Sequence, residues 1–512
     1  MVKVKLALAL VALAVGLIAS PLGATPGVPH VSNWAVTDNL TALGYSARVV
    51  PIDNNSPDNR DGVFNSDLAF RDDMVVQGTY GGFRLIDVTY PSRPKEIVNW
   101  EQCAAPTNTV GNQGDVIVWG NLVIRSWNSA TPAPVYPAGH PMAGQTIPTS
   151  DPLRFTTPGA FCGDWPMFRE PAQEPLGERG QEGVHIIDIS NPKAPDVVAF
   201  VDTPCGSHTE TLVPDLANNR LLVYSNSSAG TVFGGDPNDP TITSCAGIDV
   251  IQVPLANPAA SSYLRFEPSG DPAMPPDDHH PCHDTSVILG DANLVGCAGQ
   301  PGAAIYTMDP AKGGSKADPK FLYDAITGGN GIGHSTSFTY DGKYVVVGHE
   351  QGGGSGAECD PLDPPNERTF FMHDTETGAQ VAKIAIPRLQ TNLENCVTHN
   401  YNFVPLKNKN GKPRYVMVSG NYQSGISVID WSNIGFPEEI AFADPPPLVD
   451  PNPPVGIELG GDWSTYWYNG RLYESDITRG LVIWRLDDPA VDTYLRTTGA
   501  NNPQTTLFSI RR

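Results

Sequence analysis

Four short segments of the chain share one arrangement, a histidine in second place followed by alternating polar and apolar residues. They read Ser207-His208-Thr209-Glu210-Thr211-Leu212, Cys282-His283-Asp284-Thr285-Ser286-Val287, Gly333-His334-Ser335-Thr336-Ser337-Phe338 and Thr398-His399-Asn400-Tyr401-Asn402-Phe403. Neutral imidazole is a good ligand for copper, zinc, iron and nickel. Three or four such nitrogens with one side open suit chemistry, because a purely structural site closes every position. His208, His283, His334 and His399 are therefore the candidate metal ligands. Candidate outer contacts are Asp115 and Asp462, at or beside equivalent positions in other segments, and Asp284, next to His283. His280 lies just before His283, and the pair His349-Glu350 closes a predicted strand. Pro281 argues against a helical pairing of His279 with His283, and a solvated loop explains His279 and His280 equally well. His30, His140, His185 and His373 are expected in surface or packing positions.

Histidines so far apart in sequence need a scaffold that repeats. Seven apolar runs, most ending in or near Asp, supply it: Phe83-Arg84-Leu85-Ile86-Asp87-Val88, Val184-His185-Ile186-Ile187-Asp188-Ile189, Ile248-Asp249-Val250-Ile251-Gln252-Val253, Ala304-Ile305-Tyr306-Thr307-Met308-Asp309, Phe370-Phe371-Met372-His373-Asp374, Ile426-Ser427-Val428-Ile429-Asp430 and Leu481-Val482-Ile483-Trp484. They recur about every 55 to 65 residues, with about 100 between the first two. Each follows another β-like pair and precedes one further short strand. Four strands per unit and seven units predict an all-β fold, a seven-bladed β-propeller with four antiparallel strands per blade. Two stacked β-sandwiches are the competing architecture. The segment Asn39-Leu40-Thr41-Ala42-Leu43-Gly44-Tyr45 is expected to close the ring as the outer strand of blade seven, with residues 505–510 as the alternative.

In such a ring, repeat position becomes spatial position. The aligned inner strands put the four histidines at one mouth of the central channel, with Ser66, Asp115 and Trp463 at the equivalent places in the other blades. Hydrogen bonding between blades is the plainer use of a repeated axial polar residue, and it competes with metal binding. The longest insertions, near 128–182, 226–246 and 352–368, all join second to third strands on that same face. Of the eight cysteines, six fall in or beside these loops or the approaches to inner strands. None forms a CxxC pair, and Cys282–Cys297 is the expected disulfide between neighbouring strands.

Composition narrows the field. The 51 glycines and 49 prolines among 512 residues disfavour long helices. A net charge of −23 opposes nucleic-acid binding and anionic membrane surfaces. Lys3, Lys5 and the apolar run 6–18 read as an export signal over residues 1–24, leaving 25–512 as a single propeller domain. That run is too short for a bilayer-spanning helix. A secreted protein without membrane insertion is expected. The chain contains no G-x-S-x-G, Walker A or H-E-x-x-H motif.

The seven runs resemble the LVIVD repeat, with Gly425-Ile426-Ser427-Val428-Ile429-Asp430-Trp431 a close match. The resemblance covers residues 39–489 and implies a secreted or surface-associated propeller. It is weaker around Tyr306-Thr307-Met308 and Phe371-Met372-His373. The histidine ring is also similar in arrangement to that of selenium-binding protein and methanethiol oxidase propellers. That likeness implies a metal acting on dioxygen or a sulfur-containing small molecule, and an all-imidazole site outside the cytoplasm favours copper over zinc or iron. A non-catalytic propeller binding protein or carbohydrate at its loop-rich face is the alternative. A metal-assisted hydrolase ranks last, because the axis offers few carboxylates.

Overall fold

The computed structural model describes residues 31–47, 64–100, 114–127, 136, 139–145, 161–162, 165–166, 183–203, 206–226, 245–271, 273, 282–300, 302–328, 332–354, 356–448 and 460–507. The proposed export signal, His280 and most of 128–182 and 226–246 lie outside them. Seven four-stranded antiparallel units follow one another along the chain. Their inner strands are Asn65–Arg71, Val116–Trp119, Thr209–Asp215, Thr285–Ile288, Gly333–Phe338, Asn400–Phe403 and Asp462–Tyr468. Blade five is representative, running Gly333–Phe338, Tyr344–His349, Thr369–Asp374 and Gln380–Ala385 from the axis outward.

Alternation in the third strands shows why the blades stack. In Ile426–Asp430, Ile426 and Val428 pack with Val482 and Trp484 of blade seven, while Ile429 packs with Phe370 and Met372 of blade five. Both faces are therefore buried, each against a different neighbour, as a sheet with two apolar faces requires. A register shift between third and outer strands recurs in all seven blades. Such bulges increase local twist and let the outer strand follow the ring.

Blade seven takes its outer strand from the start of the chain: Leu40–Ala47 pairs antiparallel with Gly480–Leu486, as expected. The alternative closure by residues 505–510 is overturned. Thr505–Thr506 instead runs parallel to the axial edge of Thr285–Ile288 in blade four. Just before it, Ala500–Asn501 pairs with the axial edge of blade one at Phe70 and Arg71. The Asn502 side chain bonds both the N–H and the carbonyl of Val118 in blade two, and Thr505 Oγ1 donates to Leu212 O in blade three. The tail thus satisfies free inner-strand edges at the mouth opposite the histidines, where they would otherwise need water.

Two disulfides brace the histidine side. Cys282–Cys297 joins the approach to the inner strand of blade four with its second strand, and Cys359–Cys396 joins the loops on either side of blade five's outer half. Cys245 is disulfide-bonded as well. The side chains of Cys103, Cys162 and Cys205 lie outside the described residues.

Candidate metal centre

The four histidines form a continuous arc. Ring centroids are 4.7 Å apart for His208–His283, 4.2 Å for His283–His334 and 4.2 Å for His334–His399. Each sits at or just before the start of its inner strand. His334 is lifted from the ladder by a bulge between Gly333 and Ser335, which aims its ring at the axis instead of a neighbouring blade. A Cβ at position 333 would come within 2.2 Å of the Gly302 carbonyl oxygen, so only glycine permits this approach.

The hydrogen bonds fix which nitrogen each ring offers. His399 Nδ1 donates to the Trp463 carbonyl at 2.5 Å. Ser335 Oγ has Asp284 Oδ2 at 2.7 Å and Asn400 Oδ1 at 2.9 Å as acceptors for its one proton, so His334 Nδ1, 2.6 Å from Ser335 Oγ, is the donor there. Both rings consequently present an Nε2 lone pair. These point toward one carboxylate: His334 Nε2 is 3.7 Å from Glu350 Oε2, and His399 Nε2 is 3.9 Å from Glu350 Oε1. Donor atoms of His283, His334 and Glu350 all lie within 4.8 Å of one another.

At these separations the pairs are too far apart to be hydrogen bonds. Two ligands about 2.1 Å from one tetrahedral ion stand about 3.4 Å apart, close to the spacings found here. The donor set fits a transition metal ion held by His283, His334 and Glu350, with His399 alongside and His208 at the end of the arc.

Protonation favours the same use for three of the four rings. Burial holds His208 down to about 3 and His399 down to about 4, and it holds His334 well below the usual imidazole range. These rings are neutral at physiological pH and keep their lone pairs. For His283 burial works in the same direction, but the neighbouring Asp284 and Glu350 outweigh it and raise its pKa. Burial pushes Glu350 up to about 7.

Other expected contacts fall out differently. Asp284 lies behind the histidine arc, 3.4 Å from His283 Nδ1 and 3.7 Å from His334 Nδ1. Asp115 accepts from the Glu210 N–H, and no described contact joins it to a histidine of the arc. His349 turns away, with Nε2 at 2.7 Å from Thr327 Oγ1, Nδ1 at 3.2 Å from Asn366 O and its ring against Phe371. Asp462 directs its carboxylate to Thr465. Its backbone matters instead, because it exchanges both hydrogen bonds with Tyr422. Glu350, expected only at the margin, stands among the donors, so the cluster is not all imidazole.

Tyr422 had no sequence signal. It sits in the turn 421–425 at φ 50°, a left-handed conformation that costs a bulky residue about 1–3 kcal/mol. The turn delivers its hydroxyl to Glu350 Oε1 at 2.5 Å and its ring to within 4.4 Å of His399. Trp463 closes the far side, 4.8 Å from His399. All three are at most 4% exposed.

No family model matches the chain, and no curated protein matches it. Among solved structures it is similar to the WD40 β-propeller domain of Doa1 (TM-score 0.45, 10% identity, 88% of this chain and 99% of that one). It is also similar to the computationally designed Ika8 protein (TM-score 0.38, 10% identity, 86% and 100%). The sheet order itself defines the class, a β-propeller carrying a histidine–glutamate cluster at one channel mouth.

Proposed function

We propose that this propeller is an exported, metal-dependent oxidoreductase whose ion is held by His283, His334 and Glu350, with His399 and His208 completing the arc. The observation that carries the reading is the convergence of the His334 and His399 Nε2 atoms on the Glu350 carboxyl group, at 3.7 and 3.9 Å, with a His283 nitrogen in the same buried cluster. When bound, the ion would supply electron exchange with dioxygen or a sulfur-containing small molecule. Copper is the first choice for an imidazole-rich centre outside the cytoplasm. The carboxylate adds iron, which two histidines and one carboxylate commonly bind.

The chain's own residues orient and insulate the centre. Ser335 and the Trp463 carbonyl fix the ring tautomers, Asp284 balances charge behind His283, and Tyr422 anchors one Glu350 oxygen. Export is supported by the amino-terminal pattern and by the disulfides, which suit an oxidising compartment. Among the described residues no helix is long and apolar enough to cross a membrane. The LVIVD resemblance belongs to this proposal too, supported by the repeated third strands.

The test is metal titration of wild type, His334→Ala and Glu350→Gln, with copper(II) and with iron(II) under anaerobic conditions. The reading expects one tight site in the wild type and affinity at least about 100-fold weaker in both variants. Equal affinity in all three proteins would refute it and leave a non-catalytic binding propeller.

A further inference from the structure

We propose that the channel mouth opposite the histidines carries a second ligand site, which takes an acidic sugar, a pyranose ring bearing one carboxylate. The site is independent of the metal centre, because other residues build it at the other end of the channel.

Two hairpin turns meet the carboxyl-terminal tail there. The inner and second strands of blade one turn at Arg71–Met74, and those of blade two turn at Trp119–Leu122. With the tail they enclose a cavity of about 580 Å³, lined by Arg71, Asp72, Trp119, Asn121, Thr498 and Leu507 among others. Small-molecule sites span ~300–1,000 Å³. The walls are tied to one another before any ligand arrives. Arg71 Nη1 donates to Gly120 O and, at 3.1 Å, to Asn121 Oδ1, which joins the two turns. Asp72 joins turn to tail: its N–H donates to Gly499 O at 3.1 Å, and its Oδ1 accepts from the Gly499 N–H at 2.8 Å. A site held in this way pays little in ordering when a ligand binds.

The unspent groups at this cavity define the ligand. The chain has 55 acidic side chains against 32 lysines and arginines, yet among the described residues Arg71 has no acidic partner. Its Nε carries no bond among them, and its Nη2 meets only the Met74 thioether at 3.9 Å. A guanidinium with donors to spare at a cavity wall suits a carboxylate. Asp72 Oδ2 likewise has no partner among the described residues, and as a pure acceptor it calls for ligand hydroxyls. Trp119 packs against the core cluster of Leu122 and Ile124 while lining the cavity, and its Nε1 has no described partner. An indole with a free polar tip at a wet surface is a platform for the C–H face of a sugar ring. Leu507 adds a second apolar wall. A ring with an apolar face, a hydroxyl edge and one carboxylate answers all of these groups. A simple alkyl carboxylate leaves Asp72 unmatched, and a neutral sugar leaves the Arg71 charge uncompensated.

The experiment titrates the full chain calorimetrically with methyl glucuronide, methyl glucoside and hexanoate. Four proteins are compared: wild type, Asp72→Asn, Arg71→Gln and Trp119→Ala. In wild type the glucuronide should bind at least about 10-fold more tightly than either other compound. Asp72→Asn is the gentlest change. It keeps an oxygen for the Gly499 N–H and suits the left-handed backbone at φ 50°, but it turns the free acceptor into a donor. It should weaken glucuronide binding at least about 10-fold with an unchanged unfolding midpoint. Arg71→Gln should remove the preference for glucuronide over glucoside, and Trp119→Ala should weaken both sugars. Arg71 and Trp119 also support the turns, so Asp72→Asn keeps the test decisive if those variants do not fold. Absence of glucuronide binding in wild type, equal affinity for all three compounds, or glucuronide binding unaltered in Asp72→Asn would each overturn the inference. Either outcome leaves the metal site at the other mouth standing.

Discussion

The two mouths of the channel are built on opposite principles. At the far mouth the carboxyl-terminal tail satisfies the exposed edges of four inner strands, with Asn501, Asn502, Thr505 and Thr506 all buried. At the histidine mouth, buried side chains able to hold a metal converge without bonding one another directly, and a tyrosine is held in a left-handed turn. One end is closed by its own chain, and the other gathers buried polar groups that the proposed ion would bring together. Such a contrast is expected where function and stability compete.

Deleting the tail is the harshest way to break that comparison. Removal of residues 499–512 exposes the inner edges of blades one to four, and the loss should be about 4 kcal/mol or more. Denaturant unfolding would measure it, and metal binding at the opposite mouth should survive in the fraction that folds. Replacing Cys359 and Cys396 together by serine tests the histidine side, where the bond closes a loop of sequence separation 37. It should cost about 2–4 kcal/mol under non-reducing conditions, read by the same unfolding curves.

A subtler contrast lies in pH. Burial raises Asp67, which accepts from Tyr466 and from Gln504 of the tail, to about 6. Its folded pKa exceeds its unfolded value, so its contribution is fully present below about 4 and is lost as pH rises through about 6. Asp67→Asn should flatten the decline in stability between pH 4 and pH 7, by about 1–2 kcal/mol over that span. His185 is perturbed the other way: burial and then Arg125 hold it near 3, and neither ring nitrogen has a hydrogen-bond partner. Its depressed pKa means stability falls as pH drops below about 6.5, because the unfolded chain takes up a proton that the folded one refuses. His185→Phe should reduce that acid-side slope by about 1.4 kcal/mol per pH unit.

The smallest effect is the most diagnostic of that contrast. Glu350→Gln in metal-free protein gives an amide that can donate to His334 or His399, so stability should stay level or rise by up to about 1 kcal/mol. A loss of several kcal/mol would mean that Glu350 is a structural anchor.

Much of this is legible in the sequence, for definite reasons. The seven third strands announce themselves because both faces are buried and their apolar residues run unbroken. The histidines align because each begins an inner strand, and a ring converts that register into proximity. The sequence brought His349 and Glu350 to the mouth but could not say which one turns inward. That depends on where the second strand ends: His349 is still paired with Gly333, while Glu350 lies beyond the ladder. Asp462 misled for a related reason, since a register shift at Trp463 turns its carboxylate toward Thr465. Tyr422 was silent because its placement comes from a left-handed turn that its residue type does not favour. The axial role of the tail gave no signal because its five polar residues, Asn501, Asn502, Gln504, Thr505 and Thr506, carry no apolar period.

The central claim is that His283, His334 and Glu350 share one ion. X-ray absorption spectroscopy on protein loaded with copper or iron and then passed over a chelating column addresses it most directly. The account predicts one retained ion per chain, in a shell of nitrogen and oxygen with imidazole scattering from at least two rings and no sulfur. Protein that leaves the column without metal, or holds it through sulfur or water alone, would contradict it.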